Sequence, residues 1–317
     1  MWRDRHRGTF FGWWLVVTLI RWTGRWPAYA VVTFLAGWFA LVAPARRRAV
    51  AAFGRRLGKS PLGASWLAVR VFHSFALSLV DRFLLLTRGP EAFVFDRAAA
   101  SDAYAAVDAG QGLIVLSGHL GNPDLGASAF HGRIPRPVNV LLYAGASDPY
   151  IRLIREVAPA RAPNVIALND DQQHASIQAI RALKRGEVVA IKADRVVDDR
   201  VAAAPFLGAR IAVPTGPLLI AALSGAPVIV LGCFRAGLRR YELVTTPARV
   251  LRFDRSQPRD AQLAAWAAEL AATFEAWARR YPTQYYQFHD VFLPALPGDG
   301  RSDRAPVSGE STAGTAS

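Results

Sequence analysis

Two side chains able to move a proton stand five positions apart in the segment 112–126, GLIVLSGHLGNPDLG: His119 and Asp124. An imidazole takes and returns a proton near neutral pH, and a carboxylate beside it fixes its tautomer and stabilises the imidazolium. Such a pair suits the removal of a proton from a hydroxyl or amine that then attacks a thioester carbonyl directly. No Gly-x-Ser-x-Gly elbow occurs, and the single cysteine, Cys233, lies in an apolar run (228–234) where it reads as a small buried hydrophobe. The plainer reading of the same residues is that Asp124 only complements a helix dipole while His119 bonds a backbone carbonyl.

The elements around the pair give it a position. The apolar run 113–116 reads as a buried strand ending at Ser117, Gly118 opens a turn, and Asn122-Pro123-Asp124 is a helix start, with Asn as cap and Pro at the first helical position. His119 thus falls just past a strand's C-terminal end, where open α/β sheets bind ligands. Further strands are expected at 138–142, 165–168, 188–191 and 228–231, with helical stretches near 123–131, 148–157, 173–184 and 214–223. That alternation predicts an α/β domain with a mainly parallel central sheet flanked by helices. A long helix is expected over 62–86, carrying Asp81 and Arg82 near its end, and an amphipathic one over 258–280.

Composition adds a lipid-facing character. Of 317 residues, 52% are hydrophobic and 20% charged, the formal net charge is +14, and lysine occurs only at Lys59, Lys184 and Lys192. Such basicity favours anionic membranes, nucleic acid or acidic proteins. The sequence lacks zinc-finger spacing and an RNA-binding aromatic signature, so nucleic acid is not expected as a partner. Residues 26–45 carry no charge and are flanked by arginines, a length about sufficient to cross ~30 Å of hydrocarbon. Together with Trp2, Trp13, Trp14, Trp22, Trp26, Trp38 and Trp66 it predicts an N-terminal helical anchor over 1–60, lying on or spanning a membrane. A main domain is expected over 61–296 and a disordered tail over 297–317. His73, His131, His174 and His289 show no metal spacing, so neither metal nor cofactor is expected.

The stretch SGHLGNPD resembles the His-x4-Asp/Glu block of the lysophospholipid acyltransferase superfamily, and its Gly-His-Leu-Gly-Asn form is closest to the branch containing bacterial lipid A late acyltransferases. The resemblance extends in order through residues 75–85 with Asp81-Arg82, Ala193-Asp194-Arg195, Pro205-Phe206-Leu207-Gly208, residues 213–228 and Tyr285-Tyr286-Gln287-Phe288. It implies a glycerolipid-acyltransferase-like fold, with His119 as general base and Asp124 as its orienting acid. It also implies substrate-binding roles for Asn122, Asp194 and Arg195, the arginine holding a phosphate or an oxyanion. Gly216 falls where the superfamily often has a Glu-Gly-Thr-like block, here Pro-Thr-Gly-Pro, and Arg210 is a candidate for an anionic head group. Asp124 stands where lipid A enzymes usually have Glu, which leaves the acceptor open.

The resulting expectation is acyl transfer from an acyl carrier protein or coenzyme A thioester to an amphiphilic acceptor lipid, at the cytoplasmic face of a bacterial inner membrane. A thioesterase using the same pair on water and a non-catalytic lipid-binding protein are the two alternatives. The many N-terminal aromatic residues suit an apolar groove for a fatty chain.

Overall fold

The structure is a computed structural model. It describes residues 17–18, 20–22, 24–130, 134, 136–142, 149–159, 162, 164–168, 171–196 and 198–294. Trp2, Trp13, Trp14, His131, the start of the helix expected at 148 and the tail expected over 297–317 lie outside the described residues.

After helical residues 17–18 and 20–22 come α1 (Arg25–Val42), α2 (Pro44–Arg56) and α3 (Pro61–Arg88). The uncharged run 26–45, read as a segment lying on or spanning a membrane, is divided between two helices. Pro44 lacks the amide hydrogen needed to continue α1 and takes a first-turn position in α2. The 18 residues of α1 therefore cover about 27 Å. Helix α3 starts at Ser60, whose hydroxyl accepts from the Gly63 amide at 3.2 Å, followed by Pro61 at the first helical position.

The α/β part follows as β1 (Val94–Ala99), α4 (Ser101–Asp108), β2 (Leu113–Ser117), α5 (Pro123–Ser128), β3 (Val138–Leu142), α6 (Pro149–Val157), β4 (Asn164–Ala167), α7 (Gln172–Lys184) and β5 (Val188–Lys192). After these come β6 (Val201–Phe206), β7 (Ala209–Pro214), α8 (Gly216–Ser224), β8 (Pro227–Arg235), β9 (Arg240–Thr245), β10 (Arg249–Val250) and α9 (Arg259–Arg280). The central sheet runs in the order β1-β9-β8-β2-β5-β3-β4, with β10 also on β8. Every pairing along it is parallel except β8 with β9 and with β10, which are antiparallel. β6 and β7 form a separate hairpin turned by Leu207 and Gly208, both at positive φ. Positive φ at both turn residues gives the twist that a two-residue hairpin requires.

Burial on both faces explains why the core strands are continuous apolar runs rather than alternating ones. One face presents Leu113, Val188, Ile229 and Leu231 to the second half of α3 and to α4, α5 and α6. The other presents Ile114, Leu116, Val189, Ile191, Val228 and Val230 to α2, the first half of α3, α7, α8 and α9. Each such side chain stabilises the fold by roughly 1.5–3 kcal/mol when fully buried, and a one-residue slip would exchange the two faces. The register of β2 against β5, Leu113 opposite Val188 through Ser117 opposite Lys192, is set by this packing. It fixes which residues emerge together at the strand ends.

Candidate active site

The site forms at the C-terminal edge of the sheet, where β2 and β5 end side by side. Ala193 donates its amide to the Ser117 carbonyl at 2.8 Å, so just beyond these residues His119 and Asp194 meet. The Nδ1 of His119 lies 2.7 Å from Asp194 Oδ1, and the His119 amide donates to Oδ2 of the same carboxylate. Gln287 adds a third bond, its Nε2 donating to Oδ2 at 2.9 Å. The carboxylate expected from Asp124 at the imidazole thus comes from Asp194. Asp124, in the first turn of α5, faces α3 instead and pairs with the Nε of Arg82 at 2.6 Å.

The turn between His119 and α5 is tied down from two sides. The Tyr286 amide donates to the His119 carbonyl and the Gly121 amide to the Gln284 carbonyl, both at 2.8 Å. The Asn122 amide donates to the Cys233 carbonyl of β8 at 2.7 Å. Gly121 has φ near 62°, and a Cβ there would lie 2.1 Å from the Cys233 oxygen, so only glycine fits. Asn122, expected among the substrate contacts, is buried and engaged: Oδ1 caps α5 through the Leu125 amide and Nδ2 donates to the Ser78 carbonyl.

Helix α3 supports the site along one side. Ser74 bonds the Tyr286 hydroxyl, Ser78 holds Asn122, and Arg82 holds Asp124. Asp81, fully buried beside them, accepts the hydroxyls of Tyr29 from α1 and Tyr241 from β9, with Arg235 Nε 3.6 Å away. The adjacent Asp81 and Arg82 therefore serve different ends. Asp81 ties α1 and β9 to α3, and Arg82 reaches the turn beside His119.

Electrostatics follow from burial among these charges. Burial lowers the His119 pKa from its ordinary 6.5, and the opposing pull of Asp194 does not overcome it. Burial works to raise both carboxylates, yet each is held below the usual carboxylate range, Asp124 by Arg82 and Lys192, and Asp194 by the His119 ring and amide and by Arg195. Burial likewise lowers Lys192, against the attraction of Asp124 and Asp194. A neutral imidazole beside an ionised carboxylate is the protonation state a general base needs. Cys233 is buried, its thiol pushed up by burial, which leaves it inert as a nucleophile.

A cavity of about 950 Å³ opens beside Asp194 and Arg195, with Phe206, Val213, Phe274, Tyr285 and Phe292 among its apolar lining. Its size is that of a small-molecule ligand pocket. The N-terminal aromatics expected to line a groove stand elsewhere: Trp22, Trp26, Phe34, Trp38 and Phe39 are exposed around α1. Of the other expected contacts, Arg195 reaches the cavity, whereas Arg210 and Gly216 are not among its lining residues. Arg210 sits in the β6–β7 hairpin, opposite Pro205, and Gly216 starts α8 with open space around its Cα. Lys192 had no site role in the sequence reading, and Gln287 entered it only within the Tyr285-Tyr286-Gln287-Phe288 stretch. The signal that points to Lys192 is a lysine at the end of an otherwise apolar strand, two residues before an Asp. Among the described residues no cluster of three or more His, Cys, Asp or Glu side chains could hold a metal ion.

The family model described as bacterial lipid A biosynthesis acyltransferase matches residues 102–293, a span that begins in α4 and includes every residue of the His119 site except those on α3. No curated protein compared with the chain matches it.

Proposed function

The chain belongs to the bacterial lipid A biosynthesis acyltransferase family, and on that premise we propose that it transfers a fatty acyl group from a thioester to a membrane-lipid acceptor, with His119 as the general base. The observation that carries this reading is the His119–Asp194 pair at the open end of a parallel sheet. The Nδ1 of the imidazole is committed to Asp194, which leaves Nε2 for the acceptor. As the acceptor oxygen bonds the thioester carbon, its proton passes to Nε2. The tetrahedral intermediate then collapses, the C–S bond breaks, and the imidazolium returns the proton to the departing thiolate. No covalent enzyme intermediate is needed.

Asp124 contributes through space: its charge acts on the imidazole, and its pairing with Arg82 locks the turn that carries His119. The donor is an acyl carrier protein or coenzyme A thioester. Both are anionic, and a chain of formal net charge +14 attracts either. The cavity beside Asp194 offers an apolar side, with Phe206, Phe274, Tyr285 and Phe292, for a substrate chain and a charged side, with Arg195, Asp198 and Arg200, for a polar group. Exposed aromatics around α1 and flanking arginines support a site working against a membrane, and anionic thioester donors suit its cytoplasmic face.

The test is product analysis. Labelled acyl carrier protein and acyl coenzyme A are each supplied to the purified protein with bacterial lipid extract. A labelled lipid absent from the His119→Ala sample supports transfer and names the donor and acceptor. Labelled free fatty acid alone, with or without lipid, would establish a thioesterase instead.

A further inference from the structure

Among the described residues, one hydroxyl near the catalytic pair has no hydrogen-bond partner. It belongs to Tyr285, on the segment that runs antiparallel to the His119 turn, opposite Leu120 and between the Gly121–Gln284 and Tyr286–His119 hydrogen bonds. The Tyr285 ring packs against Phe53 of α2 and Phe206 of β6, at 4.7 and 5.7 Å between centroids, and the residue is 5% exposed. By contrast, the Tyr286 hydroxyl bonds Ser74 and the Tyr241 hydroxyl bonds Asp81. Nor is the Tyr285 oxygen among the side-chain atoms sealed off from solvent without a hydrogen bond. It is therefore open to the cavity that Tyr285 lines beside Asp194.

A hydroxyl set among aromatic rings is costly to leave without a partner, so a ligand that displaces water there must bring a polar atom to it. A bare hydrocarbon chain would strand it, whereas a ligand hydroxyl, which both donates and accepts, satisfies it. The rest of the wall defines the ligand further. Gln172, Gln173 and five carboxylates (Asp171, Asp194, Asp198, Asp199 and Asp290) stand there with Arg195 and Arg200. Arg200 is engaged by Asp198 and Gln172, and Arg56 lies over the Phe292 ring at 4.3 Å. Five carboxylates against three guanidinium groups repel a phosphate, in contrast to the formal net charge of +14 carried by the whole chain. Acceptor oxygens at several points suit ligand hydroxyls instead, and the aromatic side suits the apolar face of a sugar ring.

We propose that this cavity seats the head group of the acceptor, an uncharged polyhydroxyl group such as a sugar, and that Tyr285 is a specificity-determining residue whose hydroxyl bonds one of its oxygens. This rests on the acyl-transfer reading above. Asp194 belongs both to the cavity wall and to the catalytic pair, 2.7 Å from the His119 ring, so a head group seated here lies beside the base. The carboxylates of the wall take hydroxyl hydrogens and discriminate against a phosphorylated head group.

The test measures acyl transfer by the full-length protein in mixed micelles, with monoglucosyl diacylglycerol and its glucose 6-phosphate counterpart as acceptors. Tyr285→Phe keeps the ring and removes the oxygen. It should raise KM for the glucolipid about 3–10-fold, the weight of one neutral hydrogen bond, with kcat and the KM for the thioester within about twofold. An unchanged acceptor KM in a folded Tyr285→Phe protein would overturn the contact. A raised KM for the thioester instead would assign the cavity to the donor and overturn the proposal. His119→Ala separates the two layers: if it transfers acyl groups as wild type does, the general-base reading fails whatever Tyr285→Phe shows.

A second measurement addresses the head-group class. Wild type should use the neutral glucolipid at least roughly tenfold better in kcat/KM than the phosphorylated one, and Asp199→Asn, which removes one carboxylate of the wall, should narrow that gap. With bacterial lipid extract as acceptor, mass spectrometry should identify the labelled product as a glycolipid without head-group phosphate. Equal or better use of the phosphorylated glucolipid, or a phospholipid as the product from the extract, would overturn the class while leaving acyl transfer in place. No labelled lipid from the extract at all would overturn the acyl-transfer reading itself.

Discussion

His119 and Asp194 are separated by 75 residues and joined by one strand register, and most of the proposed chemistry depends on that junction. Asp194→Asn keeps the shape but removes the charge and leaves the ring free to take the wrong tautomer. It should lower kcat by roughly 10²–10⁴-fold, the range general acid–base catalysis supplies. Asp124→Asn, which touches Arg82 rather than the ring, should cost less, and steady-state kinetics of the two variants side by side decide the order. The pH profile follows from the direction of the His119 shift. Burial lowers its pKa, so the ring stays neutral to below the ordinary 6.5, and the acid limb of kcat/KM should have its midpoint under that value. Asp194 pulls the other way, so the limb of Asp194→Asn should move further to the acid side. A wild-type limb above 6.5 would contradict this. His119, Asp194 and Asp124 could each be named from the sequence, because turn chemistry and resemblance mark them. Which carboxylate meets the imidazole was not legible, since nearness in sequence favoured Asp124 while β2–β5 pairing delivered Asp194.

Helix α3 is the element that joins the parts. It presents Ser74 to Tyr286, Ser78 to Asn122, Asp81 to Tyr29 and Tyr241, and Arg82 to Asp124. Burial, the largest influence on Asp81, raises its carboxyl despite Arg235 and the two tyrosine hydroxyls. Tyr241→Phe removes one hydroxyl from that buried group and should cost about 1–3 kcal/mol, read by denaturant unfolding, with kcat lowered less than by Asp194→Asn. Gly121→Ala is expected to be worse for the site, because its Cβ collides with the Cys233 carbonyl at a left-handed position. Loss of transfer activity with the protein still folded by circular dichroism would show the turn displaced. The core elements β2, β3, β5 and β8 and the helices α3, α7 and α9 were legible, since long apolar runs and helical periodicity carry strong signals. Less so were β6 and β7, where Ala-rich sequence and Pro205 hide a hairpin, and β1, β9 and β10 at one end of the sheet, which are short or charged. The break at Pro44 was overridden in reading by the apolar run around it.

On the scale of the molecule, α1 is both a structural element and a surface. Tyr29 ties it to the core, while Trp26, Phe34 and Trp38 remain 66%, 74% and 55% exposed. A patch of that kind next to arginines favours an anionic bilayer, with each nearby basic residue contributing ~1 kcal/mol. Phe34→Asp combined with Trp38→Asp should release the protein from anionic vesicles in a sedimentation assay, and high salt should weaken wild-type binding. Undiminished binding by the double variant would show that α1 is not the contact.

The most direct test of the central claim is the single-turnover rate of acyl transfer from a carrier-protein or coenzyme A thioester to membrane lipid, for wild type and for His119→Gln. The account predicts a slowing of roughly 10²–10⁴-fold with the donor still bound. An unchanged rate in a folded His119→Gln protein would contradict it, and His119 would then be a structural residue of the turn rather than the base.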